Sequence, residues 1–187
     1  MSQLQQVLQP LIERIEYGIS QQLEDVDLIQ SFIPDFRRLL HLNDWLPSSY
    51  RQPNPERYQQ FLLYCDPEDH FSIVSFVWDK GQTTPIHNHE VWGVVGVLQG
   101  EEISQRYQRN ALGHFEITGE PDHLKVGEID FFTPALGDVH QVRNALSDQV
   151  SISIHIYGAD IGKVERYTFA LDGTAKRFIS GYSNQEH

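Results

Sequence analysis

The sequence predicts a mainly β protein: a small barrel, with an N-terminal helical segment packed on it. Three observations lead there. Apolar residues recur at helical spacing only near the N-terminus; from Tyr58 onward short β-like runs replace them; and turn-forming residues separate those runs at regular intervals. Many short strands punctuated in this way describe a sandwich or barrel. A chain of 187 residues is long enough to bury a real core. No repeat, low-complexity tract or linker interrupts it, so a single domain over residues 1–187 is expected, with 1–45 as helical preface and 58–183 as barrel.

Taken in order, Leu4, Val7, Leu8, Leu11, Ile12 and Ile15 line one face of a helix. Val26, Leu28, Ile29 and Phe32 belong to a second short segment, and Asp35 is placed to cap a further stretch from Phe36 to Leu42, with Pro34 just ahead of it. Trp45 to Pro55 is a connector rich in proline and serine. Strands are expected near Gln59–Tyr64, Phe71–Trp78, Val91–Leu98, Ile103–Tyr107, His114–Thr118, Glu128–Phe132, Val139–Arg143, Ser151–Tyr157, Arg166–Ala170 and Lys176–Phe178. Asp79-Lys80-Gly81, Gln99-Gly100, Gly119-Glu120-Pro121 and Asp172-Gly173 are among the turns between them.

Charge and cysteine content narrow the function. The formal net charge of -12 argues against nucleic acid and anionic lipid as partners. A small anionic substrate remains compatible, because a pocket's local charge can oppose the global sign. Cys65 is the only cysteine, which excludes an internal disulfide and an all-cysteine metal site and fits a reducing compartment. The N-terminus lacks the basic start and apolar run of a secretory leader, and no apolar stretch reaches membrane-spanning length. A soluble cytoplasmic protein is expected, either a monomer or a weak homo-oligomer.

Among the nine histidines, His87 and His89 stand two apart on an expected strand, where both imidazoles leave the same face. His140 offers a third ligand. An isolated His-x-His is ordinarily a pair of surface residues, but here the flanks form a pattern. Gly81, Gly93 and Gly100 surround the first pair, and Gly127, Pro134, Gly137 and Asn144 surround His140. These two blocks resemble the paired motifs of the cupin superfamily, which implies a jelly-roll barrel carrying metal ligands on its strands.

This chain departs from the general cupin pattern by having Gly93 where a glutamate ligand stands. Glu90 should face away from His89. Asp138 is open to two readings, a fourth ligand or a residue that supports a ligand or makes a turn hydrogen bond. Three neutral imidazoles leave a divalent ion its full charge, which favours an anion such as a thiolate, and leave open positions for substrate and oxygen together. Zinc also accepts three histidines, so ligand type alone does not select iron.

In Ser151–Tyr157 the isoleucines 152, 154 and 156 share one face, and Ser153, His155 and Tyr157 share the other. On a one-sided sheet the polar face would meet water. In a barrel holding an internal metal, a serine, histidine and tyrosine in register instead form a hydrogen-bonded relay. Pro85-Ile86-His87-Asn88-His89, Trp92 to Gly96, Gly137 to Val142, Ser151 to Gly158 and the ending Phe178 to Asn184 closely resemble the bacterial thiol dioxygenases of the cysteine dioxygenase family. The resemblance runs from about Tyr58 through Ser183 and extends to the helices.

The resemblance implies one Fe(2+) per chain on His87, His89 and His140, and an outer relay of Ser153, His155 and Tyr157. It implies conversion of a small thiol and O2 to a sulfinic acid. Animal-type members join a cysteine covalently to the tyrosine and use an arginine early in the barrel for the substrate carboxylate. Here Gly93 falls near the first position and Gln60 at the second, so no crosslink is expected and the chain looks like the 3-mercaptopropionate dioxygenase branch. In that branch an arginine matching Arg166 lies near the site, and its fork suits a carboxylate. Cysteine is the alternative substrate. A non-oxidative metal cupin (an isomerase or hydrolase) and a ligand-binding cupin module are readings from other classes. Trp92 is expected in the core or cavity wall, Trp78 and Trp45 in packing, and Cys65 as a small buried residue. His41, His70, His114, His123 and His187 show no partner pattern in the sequence and are expected at the surface.

Overall fold

A computed structural model of the chain describes residues 2–185; His187 lies outside them. The first apolar stripe forms helix α1 (Gln3–Ser20), opened by a capping box in which Ser2 and Gln5 each accept from the other's backbone N–H. Helix α2 (Asp25–Leu40) runs through Pro34, so the expected break before Phe36 does not occur. An internal proline costs about 3 kcal/mol. Phe32, Phe36, Leu39 and Leu40 are all buried, and each such side chain contributes about 1.5–3 kcal/mol. Burial on both sides of the proline outweighs its cost. Asp35 is no cap; its carboxylate ties Arg14 of α1 to Arg38.

After a 3-10 turn (Ser48–Tyr50), twelve strands follow among the described residues: β1 (Gln59–Cys65), β2 (Ser72–Trp78), β3 (Ile86–His87), β4 (Gly93–Gln99), β5 (Glu101–Arg109), β6 (Phe115–Ile117), β7 (Asp122–Lys125), β8 (Ile129–Phe132), β9 (His140–Asn144), β10 (Ser151–Tyr157), β11 (Arg166–Phe169) and β12 (Ala175–Phe178). Strand β7 was not expected. Of its residues only Leu124 is buried, so it carries no readable alternation. One antiparallel sheet has the order β1-β2-β10-β4-β8; the other runs β12-β11-β3-β9-β5, with β6 and β7 pairing different ends of β5. The two sheets make the cupin barrel that the motifs imply.

Two buried layers lie on opposite faces of the first sheet. Ile152, Ile154 and Ile156 pack outward with Ile73, Val77 and Val94 against the apolar faces of both helices. The alternate residues Val74, Phe76, Trp78, Val95 and Tyr157 point into the barrel with Phe132 and Val142. Helix α2 sits so close to β4 that a Cβ on Gly96 would lie 2.5 Å from the Leu40 side chain. The C-terminal segment returns to β1: the Ser183 N–H donates to the Gln60 carbonyl at 2.7 Å, and the Leu62 N–H to the Asn184 side chain at 2.9 Å. That return places Phe178 and Ser180 beside the barrel interior.

Candidate metal centre

The three histidines converge from different supports. His87 ends β3 and pairs across the ladder with His140, the first residue of β9. The spacing suggests one strand for His87 and His89, but His89 lies just past the end of β3. Asp138 holds that turn. Its carboxylate accepts the backbone N–H groups of His89 (2.8 Å) and Glu90 (2.9 Å), and its carbonyl meets His89 Nδ1 at 2.9 Å. The two readings of Asp138 therefore resolve to support of a histidine. Glu90 adopts a left-handed φ of 63° and pairs with Asn88.

The ring centroids of His87, His89 and His140 are 4.7–4.9 Å apart, and one nitrogen from each lies within 4.8 Å of the others. His87 Nδ1 meets the Pro85 carbonyl at 3.0 Å and His140 Nδ1 the Ser104 hydroxyl at 3.1 Å. With each Nδ1 engaged, the three Nε2 lone pairs are left to face one another. Burial keeps all three rings neutral: it lowers His87 from 6.5 to about 4 and holds His89 and His140 well below their ordinary value. Neutral, mutually facing and externally oriented imidazoles fit a single metal ion.

No carboxylate among the described residues joins them, and Gly93 shows why. A Cβ there would lie 2.3 Å from the Phe132 ring and 3.1 Å from Tyr157 Cδ1. Phe132, whose ring lies 4.1 Å from that of His89, occupies the space a longer side chain would need. Gly93→Ala is expected to destabilise the protein by about 1–3 kcal/mol, the usual cost of overpacking, readable as a lower denaturant midpoint. An unchanged midpoint would show that Phe132 yields freely. Sequence reasoning missed Phe132 because a phenylalanine at a strand end carries no signal of ligand contact.

Strand β10 is buried on both faces, so its polar side turns into the barrel and not to water. Ser153 Oγ lies 2.8 Å from His155 Nε2, and His155 Nδ1 lies 2.8 Å from the Tyr157 hydroxyl. Trp78, expected only to pack, donates its indole N–H to Ser153 at 3.3 Å and lines the cavity. Phe76 stacks on His155 at 4.1 Å. Burial raises the Tyr157 hydroxyl, keeping it protonated, and lowers His155 from 6.5 to about 3.

The sign of that last shift sets an acid response. Unfolded chains bind a proton at His155 below pH 6.5, whereas the folded chain resists until about 3. The neutral ring's contribution is present above 6.5 and is lost as pH falls through that window. Chemical denaturation of the metal-free protein should show stability falling more steeply in that window for wild type than for His155→Gln, and parallel curves would contradict it.

A cavity of about 110 Å³ opens between the histidines and the relay, bounded also by Tyr58, Gln60, Arg166, Phe178 and Ser180. Arg166 is buried, 4% exposed. Its guanidinium donates to Ser180 Oγ at 2.6 Å and to the Ile161 carbonyl at 3.3 Å, lies over the Phe178 ring, and keeps a buried Nε–H without a partner among the described residues. Gln60 donates to the same Ser180 hydroxyl (3.1 Å) and to the Gly181 carbonyl (2.9 Å). Ser180 thus couples the two, a connection invisible in sequence because 120 residues separate it from Gln60. Trp92 packs in the outer core with Phe32, Trp45 is buried, and Cys65 is half-buried near Asp69 and Asp160. His41, His70, His114 and His123 are exposed, as expected; His70 lies 2.9 Å from Asp66 and His123 3.6 Å from Glu101. No described helix is long and apolar enough to cross a membrane.

Solved structures similar to this chain include an RmlC-like cupin protein from Desulfovibrio desulfuricans, 20% identical, with 63% of this chain and 93% of that one covered and a TM-score of 0.43. Another is an uncharacterized conserved protein with a double-stranded β-helix domain from Klebsiella pneumoniae, 19% identical over 71% and 92% of the chains at a TM-score of 0.45. A Thermus thermophilus protein is 19% identical over 60% and 92% at 0.47. The family model for cysteine dioxygenase type I matches residues 2–169, from the first helix to the end of β11. This chain belongs to the cysteine dioxygenase type I family.

Proposed function

We propose that this protein is a non-heme iron thiol dioxygenase whose substrate is a small carboxylated thiol, with 3-mercaptopropionate preferred over cysteine. His87, His89 and His140 would hold one Fe(2+), and an ion there supplies a site at which thiolate and dioxygen meet and exchange electrons. The chain's own residues do the rest. The cavity admits a molecule of few atoms and orients it between the histidines and the far wall. Tyr157, protonated and held by His155, presents a hydroxyl where negative charge develops on oxygen.

The observation that carries the substrate class is Arg166. A buried guanidinium lines the cavity, and no carboxylate among the described residues pairs with it. An uncompensated buried cation is costly, and an anionic ligand relieves that cost. The described lining contains no acidic residue, so an ammonium group would find no counter-charge. Both facts favour a thiol with a carboxylate and without an amine.

The test is oxygen uptake by iron-loaded protein with 3-mercaptopropionate, cysteine and cysteamine. The highest kcat/KM should belong to 3-mercaptopropionate, and no uptake with any of the three would end this reading. Arg166→Met should lower kcat/KM for 3-mercaptopropionate by roughly 10- to 100-fold, equivalent to the ~1.5–3 kcal/mol of a hydrogen bond to a charged group, while hardly changing it for cysteamine. An equal loss for both thiols would remove Arg166 from carboxylate recognition.

A further inference from the structure

A serine hydroxyl accepts two hydrogen bonds and donates one. Ser180, half-buried in the segment that follows β12, already receives two. Arg166 Nη2 donates to its Oγ at 2.6 Å, and Gln60 Nε2 at 3.1 Å. Neither bond can run the other way. A guanidinium has no acceptor. The Gln60 amide is oriented by its second contact, 2.9 Å to the Gly181 carbonyl, which only accepts and so faces the NH2 end. Both lone pairs of Ser180 are therefore filled, and its own hydrogen has no acceptor at hydrogen-bond distance among the described residues.

That hydrogen points into open space, and Ser180 borders two such spaces. One is the cavity facing the three histidines; the other is an outer hollow of about 280 Å³, rimmed by the exposed Arg57 and Ser183. Water in the outer hollow can take the hydrogen while the site is empty. Inside the cavity, an anion drawn by Arg166 is the stronger acceptor. Both hydrogen bonds of Arg166 leave from Nη2, so the rest of its fork remains for a ligand. A carboxylate brings two oxygens to this end of the cavity, and a guanidinium and a hydroxyl held side by side can serve both.

We propose that Ser180 is a second binding residue for the substrate carboxylate, donating its hydroxyl hydrogen to one oxygen while Arg166 serves the other. This rests on the carboxylated-thiol reading above. Gln60, with both amide hydrogens engaged, has none for the substrate. It is a positioning residue that fixes which way the Ser180 hydroxyl points. Specificity follows from the pair: a thiol ending in an alkyl group would leave both donors unpaired.

Calorimetric titration of the iron-loaded protein under nitrogen, with 3-mercaptopropionate and with propanethiol, tests this without turnover. Ser180→Ala should weaken 3-mercaptopropionate binding about 10-fold, the effect of losing one hydrogen bond to a charged group, and leave propanethiol binding unchanged. Ser180→Thr, which keeps the hydroxyl, should bind both thiols as wild type does. In the alanine variant Arg166 keeps the Ile161 carbonyl and Gln60 the Gly181 carbonyl, so each donor retains an acceptor and the protein folds.

Support of the guanidinium alone would also weaken binding, and the same change made in Arg166→Met separates the two. There Ser180→Ala should still weaken 3-mercaptopropionate by about 3-fold or more. Unchanged affinity in Ser180→Ala, an equal loss for propanethiol, or no further loss beside Arg166→Met would overturn the proposal. Oxygen admitted afterwards keeps the two readings apart. Intact uptake after failed titrations strikes Ser180 alone, whereas the expected titrations without uptake strike the dioxygenase and leave Ser180 in place.

Discussion

A His140→Ala variant is expected to lose stable iron binding, and thiol-dependent oxygen uptake with it. The triad has no reserve ligand among the described residues. Asp138 spends its carboxylate on two backbone N–H groups, and Phe132 fills the space beside Gly93 where another donor would enter. Two imidazoles would remain, His87 and His89, with Ser104 left beside an empty space. Removing even an outer partner of a metal ligand typically costs about 10–100-fold in affinity; removing the ligand itself should exceed that. Iron content after reconstitution and gel filtration measures it. A variant that keeps one iron per chain would show that His140 is not a ligand, whatever its activity. The cavity this substitution opens should leave the variant folded, because the outer core under α1 and α2 does not include His140.

Tyr157→Phe should lower kcat by roughly 10²–10³-fold, the usual consequence of removing one donor aimed at developing negative charge, while iron content stays at the wild-type level. The hydroxyl is 2.8 Å from His155 Nδ1 and belongs to none of the metal-facing nitrogens. The ring itself packs against the Gly93 backbone and near His89, at 5.7 Å between centroids, so phenylalanine preserves the wall. Deletion of the hydroxyl leaves a buried histidine nitrogen unpaired, at a cost of about 1–3 kcal/mol in stability. A separate denaturation curve distinguishes that loss from the catalytic one. Turnover equal to wild type, with intact iron, would exclude the tyrosine as an oxygen-facing donor.

The barrel, its helical preface and the identity of the converging histidines were legible in the sequence because each depends on local patterns. Alternation in β10 separates three isoleucines from Ser153, His155 and Tyr157, and a period of two suffices to put those three on one face. Glycines and prolines at turns mark most strand ends for the same local reason. Where a pattern was weak, the reading failed: β7 has a single buried residue, and Pro34 looked like a break although burial on both sides carries the helix through it.

Other features depend on residues far apart in the chain. That Asp138 serves a turn 49 positions away, that Phe132 fills the space beside Gly93, and that Ser180 joins Gln60 to Arg166 are consequences of sheet order and chain return. The same holds for Glu102, an ordinary acidic residue in the sequence that pairing of β5 with β9 and the proximity of β10 bury beside Ser151. Side-chain alternation propagates only along one strand, so a sequence can say which face a residue takes. Which other residues meet it there is settled by the packing of strands distant in the chain, and it is that packing which sets the desolvation and neighbouring dipoles on which the chemistry depends.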